Sequence, residues 1–265
     1  MRLGYLGPAG TFSEEAARTA PGAADAELVG LPTVRDTILA VHGGEVDRAI
    51  VPIENSVEGP IAVTLDTLAD DGNDVAIRCW ETASTSSHPQ AISQCARYLR
   101  DNLPGASVEP TASTAEAAQI VVARDAPWAA LGTLRAAELY GATVLAEAVE
   151  DEPGNATRFV WLARRADAPA PADIAPAKTS LAFWGPGDDS PGWLVRCLSE
   201  FAFRGVNLTK IESRPLRGRL GHYRFFVDCR GAATDASVAE AVSGLGKHCE
   251  QVRILGTYST AGPPD

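Results

Sequence analysis

The sequence holds few of the groups by which catalytic sites are usually recognised. Its four histidines lack metal-ligand spacing, and its five cysteines (Cys79, Cys95, Cys197, Cys229 and Cys249) contain no CxxC pair. An odd, scattered set excludes a disulfide framework or a zinc site and reads as reduced, mostly buried thiols. There is no Ser-His-Asp order and no Walker loop, and the glycine-rich turn near the start is not GxGxxG. Basic residues are scarce: 23 Lys and Arg stand against 34 Asp and Glu, a net charge of −11. That balance argues against nucleic acid and acidic membrane surfaces as partners. An anionic ligand must therefore find a local positive site, built from a few Arg or His side chains and helix N-termini. No apolar run could span a bilayer, and no signal-peptide core precedes the first strand-like segment. The expectation is a soluble, cytoplasmic chain.

What is present is a regular alternation. Strand patterns at 2–7, 27–31, 49–53 and 74–80 are separated by helical patterns at 12–20 and 34–42. Helical 89–99, extended 107–110, helical 115–123, a strand at 128–131, helical 134–140 and a strand at 157–162 follow. Short buried strands alternating with helices predict an α/β fold with a largely parallel sheet. Residues 166–177, with Pro169, Pro171 and Pro176 among alanines, read as a stiff linker. Beyond it the order becomes strand 179–184, helix 192–203, strands 207–214 and 222–229, helix 237–249 and strand 251–258. That is a βαββαβ unit of ferredoxin-like type, with Leu194, Leu198 and Phe201 on one helix face. At 265 residues with 45% hydrophobic content, the chain supports two such domains.

Four segments could carry chemistry. Asn155-Ala-Thr157-Arg158-Phe159 lies on a strand, so Asn155, Thr157 and Phe159 share one face and Arg158 points away. That face offers an amide, a proton-bearing hydroxyl and an apolar wall, enough to hold a small ring and protonate a leaving group. Gly7-Pro-Ala-Gly10-Thr11-Phe12 sits at a strand-to-helix turn, where open α/β sheets bind ligands. Thr11 with Glu14 equally makes a capping box that needs no ligand. Glu54-Asn55-Ser56 follows a strand and reads as a crevice group or as an ordinary turn. Ser113-Thr114-Ala-Glu116 repeats the capping spacing, and His88 precedes a helix. Together, turns rich in Ser and Thr beside the 155–159 strand suit a cleft for a small carboxylate-bearing molecule.

The ordered set of Gly-Pro-Ala-Gly-Thr-Phe, Val-Pro-Ile-Glu-Asn-Ser-Val-Glu-Gly, Ser-His-Pro-Gln-Ala, Thr-Ala-Ser-Thr-Ala-Glu-Ala-Ala and Asn-Ala-Thr-Arg-Phe resembles the prephenate dehydratases. Glu212-Ser213-Arg214-Pro215 resembles the signature of the ACT regulatory domain fused to them. The resemblance covers nearly the whole chain. It implies a two-lobed catalytic domain like the type II periplasmic binding proteins over 1–165, the linker 166–177 and an ACT domain over 178–260. It implies conversion of prephenate to phenylpyruvate in phenylalanine biosynthesis, without metal or organic cofactor. Thr157 becomes the proton donor, with Thr11, Asn55, Ser56, Ser113, Thr114, Asn155, Arg158, Phe159 and His88 around the substrate. Gly192, Trp193, Leu194, Glu212, Ser213, Arg214 and Pro215 become the site of an allosteric amino acid, phenylalanine, in a homodimer or homotetramer. Arogenate dehydratase, prephenate decarboxylase and a catalytically silent amino-acid sensor are the alternatives. Retention of Thr157 argues against the decarboxylase, which expels no water. Two departures stand out. Between Trp80 and Ser87 the chain is shorter than the family pattern, which carries a further apolar strand, a loop and a short segment there. Trp193 occupies the position of an alanine in the family's regulatory motif.

Overall fold

The computed structural model describes residues 1–19, 23–57, 59–72, 74–84, 91–124, 126–151, 154–167, 176–185, 187, 190–216 and 220–259, with backbone alone for 79–84. The chain divides into two compact units, Met1–Thr64 with Glu81–Trp161, and Leu65–Trp80 with Leu162–Asp265. Both mix helices and strands.

In the first unit β1 (Arg2–Leu6) pairs in parallel with β2 (Glu27–Leu31) and β3 (Arg48–Asn55). The sheet continues from β3 to β6 (Ala156–Arg164). Helices α1 (Phe12–Thr19) and α2 (Val34–His42) pack on β1 and β3. Leu3, Ile38, Val41, Ile50, Val51 and Phe159 are buried at the centre of these elements. Each fully buried aliphatic side chain contributes about 1.5–3 kcal/mol of transfer free energy. The short β4 (Gly59–Pro60) folds back antiparallel on the end of β3, pairing Asn55 with Gly59. The end of β3, where functional groups concentrate, is thereby held on both sides.

The region from 91 to 151 departs from the expected alternation. The predicted helix at 89–99 is broken at Cys95 into α4 (Ala91–Gln94) and α5 (Ala96–Asn102); residues 89–90 lie outside the described set. Among the described residues no strand forms at 128–131, and 107–110 joins no sheet. Only α6 (Thr114–Val122) and α7 (Leu134–Tyr140) follow, sharing a small core of Ala115, Ala118, Ala136 and Tyr140. A strand exists only beside another strand that takes its backbone hydrogen bonds. Residues 101–112 stay exposed throughout and Trp128 is 41% exposed, so this stretch offers no buried face for a strand to cover.

The second unit contains β7 (Ala177–Trp184), α8 (Trp193–Ala202), β8 (Leu208–Pro215), β9 (Tyr223–Arg230), α9 (Ala236–Leu245) and β10 (Gln251–Ser259). Its strands run in the order β10-β7-β9-β8, with antiparallel pairing throughout. The face of α8 that goes deepest is Trp193, Cys197 and Phe201, at i, i+4 and i+8, with Leu194 and Leu198 at its margin. Trp193 points into this interior, tilted against Phe183 and Phe225 at centroid distances of 6.1 and 5.8 Å. Each such pair adds about 0.5–1.5 kcal/mol beyond area burial.

Helix α3 (Ala62–Asp70) is absent from the sequence reading, although Leu65, Leu68 and Ala69 are buried on one face. From Leu65 onward it belongs to the second unit, with most of β5 (Val75–Ser84). β10 adjoins β5, and a Cβ on Gly256 would stand 2.3 Å from the Ile77 carbonyl oxygen, so only glycine lets these backbones approach.

Candidate active site

β6, which carries Thr157 and Phe159 and is preceded directly by Asn155, lies beside β3, and all three residues are buried, at 3%, 2% and 7% exposure. Two side-chain bridges join the strands across the chain. Asn55 Nδ2 donates to Thr157 Oγ1 at 3.0 Å, and Ser56 Oγ donates to Asn155 Oδ1 at 3.0 Å. The backbone supports both: Ser56 N donates to the Ala156 carbonyl at 2.8 Å, and Ala156 N donates back to Ser56 Oγ at 2.9 Å. Asn55 Oδ1 accepts from Val57 N at 2.9 Å, which fixes the amide so that its NH₂ end faces the threonine.

These contacts define the chemical sense of the site. Thr157 accepts from Asn55 and makes no other hydrogen bond among the described residues, so its own proton has no protein acceptor there. The Nδ2 of Asn155 and the Oγ1 of Thr114 are likewise buried without a partner. A buried, unpaired polar atom costs about 1–3 kcal/mol.

Arg158 lies on the opposite face, as alternation requires, and its guanidinium meets Glu54 at 2.8 Å. Thr11 accepts from Glu14 N at 3.4 Å while donating to the Leu6 carbonyl at 3.0 Å, and Glu14 in turn accepts from Gly10 N. Gly10 has φ +87°, and a Cβ there would stand 3.1 Å from the Ala136 Cα. The glycine therefore admits both the left-handed turn and the close approach of α7. Ser113 caps α6 by accepting from Glu116 N at 2.9 Å, and the Glu116 carboxylate reaches back to accept from Ala112 N at 2.7 Å, one residue before the N-cap.

Two residues that the sequence reading missed brace the turn after β1. Thr133, the N-cap of α7, accepts from Ala136 N at 2.8 Å and donates to the Gly10 carbonyl at 2.9 Å. Tyr140 donates to the Ala9 carbonyl at 2.6 Å. The signal for Thr133 was available, since threonine directly precedes the helical pattern. The acidic groups near this turn are quenched or suppressed. Glu14 pairs with Arg18, and burial followed by the charge of Glu14 holds the Glu15 carboxyl above its ordinary range. His88 lies outside the described residues.

In the second unit, β8 alternates half-buried Glu212 and Arg214 with exposed Ser213 and Pro215. Arg214 makes a bidentate pair with Asp66 of α3 at 2.8 and 3.0 Å, which holds its guanidinium above its ordinary range. Gly192 supplies a left-handed φ of +76° ahead of α8. The Trp193 indole N–H donates to the His248 carbonyl at 2.7 Å.

Fold and site thus describe a mixed α/β protein with a buried hydroxyl hydrogen-bonded to a buried amide. The comparisons with known proteins name the family. The model of the prephenate dehydratase family matches the chain in two segments, residues 3–79 and 78–167. A prephenate dehydratase of Amycolatopsis methanolica is 38% identical over 98% of this chain and 89% of its own. A prephenate dehydratase from Arthrobacter aurescens, solved in complex with L-Phe, superposes with a TM-score of 0.86 at 38% identity, covering 98% of this chain and 90% of that one. A structure described as GqqA, a novel type of quorum quenching acylase, superposes with a TM-score of 0.79 at 28% identity over 97% of both chains. The chain belongs to the prephenate dehydratase family. The two matched segments meet at residues 78–79.

Proposed function

We propose that this chain converts prephenate to phenylpyruvate, carbon dioxide and water, with Thr157 acting on the departing hydroxyl. Prephenate carries a ring carboxylate and a ring hydroxyl across a cyclohexadiene. As the carboxylate leaves as CO₂, the electron pair of its C–C bond enters the ring, the ring becomes aromatic, and the C–O bond breaks at the far side. Aromatisation supplies the driving force, so the protein has to align the breaking bonds and stabilise the leaving oxygen. No metal or organic cofactor enters this scheme.

The observation that carries the proposal is the direction of the Asn55–Thr157 hydrogen bond. An amide N–H donated to Oγ1 leaves the threonine proton for the substrate and stabilises negative charge growing on that oxygen. A threonine hydroxyl is a weak acid, so the proton moves late, completing water as the bond breaks. Reprotonation from solvent then restores the enzyme. The same direction disfavours an acyl-transfer reading, because a nucleophilic threonine needs a base that accepts its proton. The unpartnered Asn155 amide and Thr114 hydroxyl, with the turn at Thr11 and the Ser113 cap, are proposed to hold the two carboxylates. Phe159 walls the ring, and Arg158 acts through Glu54 as a positioning group.

The fold reading extends this proposal. Residues 1–165 form a two-lobed catalytic domain of the type II periplasmic-binding kind, 166–177 a linker and 178–260 an ACT domain. The β-α-β-β-α-β order and the strand order of the second unit support the ACT reading. L-phenylalanine is proposed as the allosteric ligand, a choice supported by the relative solved in complex with L-Phe, and Gly192, Leu194 and Ser213 are proposed to line its site. Among the described residues β8 ends its sheet and pairs on one side only, which supports a homodimer or homotetramer. The enzyme is proposed to act in the cytoplasm; no helix among the described residues is long and apolar enough to cross a membrane.

The test is turnover by the purified chain, offering prephenate and arogenate separately. Phenylpyruvate from prephenate, seen by its enol absorbance in alkali, supports the proposal. Phenylalanine formed from arogenate alone would move the assignment to arogenate dehydratase. Binding of prephenate without product would leave a sensor.

A further inference from the structure

Cys197 and Cys249 are 52 positions apart in sequence, yet their sulfur atoms lie 3.7 Å from each other. Cys197 is fully buried on α8, and Cys249 is partly exposed in the turn between α9 and β10. Two further contacts already tie this turn to α8: the Trp193 indole N–H on the His248 carbonyl at 2.7 Å, and the His248 ring on Glu200 at 2.9 Å. Both sulfurs are thus held by elements anchored on either side, and closing to the roughly 2.05 Å of a disulfide bond requires under about 2 Å of movement. We propose that Cys197 and Cys249 form a reversible intramolecular disulfide, a redox modification site on the helix that carries Trp193.

The remaining described cysteines do not compete. Cys95 and Cys229 are buried singly, and burial pushes both thiols up to about 11. Cys197 moves the other way, its thiolate stabilised first by the S–H of Cys249. The same bond raises the Cys249 thiol; once the pair is ionised one proton serves two sulfurs, and the minor form with that proton on Cys197 places the thiolate on the more exposed Cys249.

The oxidant is a small-molecule disulfide. The Cys249 thiolate attacks one of its sulfurs, forming a mixed disulfide and releasing one thiolate. After its own proton is lost, Cys197 attacks the Cys249 sulfur, breaks the mixed disulfide and releases the second thiolate. Two protein thiols are oxidised by two electrons and one small disulfide is reduced to two thiols. The product fastens the middle of α8 to the entrance of β10.

The experiment treats the intact folded chain with excess glutathione disulfide, alkylates it under denaturing conditions, and reads intact mass and peptide map. The chain should lose two of its five alkylatable thiols, yield a peptide pair linked through Cys197 and Cys249, and recover both thiols with dithiothreitol. Cys197→Ser should stop at a glutathione adduct on Cys249, and Cys249→Ser should form no bridge. Retention of all five thiols, a persistent adduct on the unsubstituted chain, or a link through other cysteines would overturn the proposal. Should a serine variant fail to fold by circular dichroism, the peptide map of the unsubstituted chain decides alone.

Discussion

At the residue scale, the account rests on a hydroxyl whose partner donates to it instead of accepting from it. Asn55 keeps the Thr157 proton available, so Asn55→Ala should act on the chemical step. We expect kcat to fall about 10–100-fold, since a lost donor to a developing oxyanion costs up to about 2.7–4 kcal/mol and Asn55 acts through Thr157. KM should change by only a few-fold. Steady-state kinetics on prephenate check this, and an effect confined to KM would assign Asn55 to substrate binding. The burial of Asn155, Thr157 and Phe159 was legible in the sequence because strand alternation has a period of two. The partners Asn55 and Ser56, some 100 positions away, were legible as polar groups after a strand. Their pairing with Thr157 and Asn155 was not, since it depends on β3 and β6 being neighbours. Likewise no pattern in the sequence announces that Arg158 finds Glu54.

At the element scale, the chain shows what depends on neighbours and what does not. Helices α2 and α7 begin and end as the sequence predicts, because Thr33, Thr133 and the left-handed Gly141 are local signals. Helix α3 went unread because it follows a polar turn, and its Thr64 and Asp66 are buried with Leu65 and Leu68. The strand expected at 128–131 fails for the opposite reason: its composition suits a strand, but it has no partner to pair with. α3 also alters the reading of the Glu-Ser-Arg-Pro segment. The Arg214–Asp66 pair is partly buried, so Arg214→Ala should cost about 1–3 kcal/mol of stability, in the range of charged hydrogen bonds. Urea unfolding at fixed protein concentration measures it, and an unchanged midpoint would show that the pair is incidental. Ser213→Ala, on the exposed face, is the cleaner probe of amino-acid inhibition. Asp151 holds α5 from a distance by accepting from Arg97 N and Tyr98 N, and the first of these bonds keeps its carboxyl below the ordinary range. A carboxyl with a lowered folded pKa adds stability above its unfolded pKa and loses it as pH falls through the folded value. Asp151→Asn should therefore flatten part of the acid limb of the stability profile. An identical acid limb in both proteins would remove Asp151 from that account.

At the scale of the whole molecule, two compact units carry different tasks in the proposed reading, catalysis in one and amino-acid sensing in the other. L-phenylalanine should slow prephenate turnover and raise the midpoint of thermal unfolding. At 100 times its Kd, a ligand of the folded state adds about 2.7 kcal/mol per site. Calorimetry with and without phenylalanine checks this, and no shift at saturating concentration would remove it as the ligand. The family was legible from six ordered motifs. The region from 91 to 151 was read as a further strand-helix alternation, and the local pattern could not say that 107–110 and 128–131 would find no neighbouring strand among the described residues.

The central claim is that Thr157 serves the departing hydroxyl, and the most direct measurement compares Thr157→Ala and Thr157→Ser with the unsubstituted chain in steady-state turnover of prephenate. The account predicts that alanine lowers kcat about 10²–10⁴-fold with KM changed only a few-fold, and that serine restores much of the rate. A rise in KM with kcat intact would contradict it and make Thr157 a binding residue.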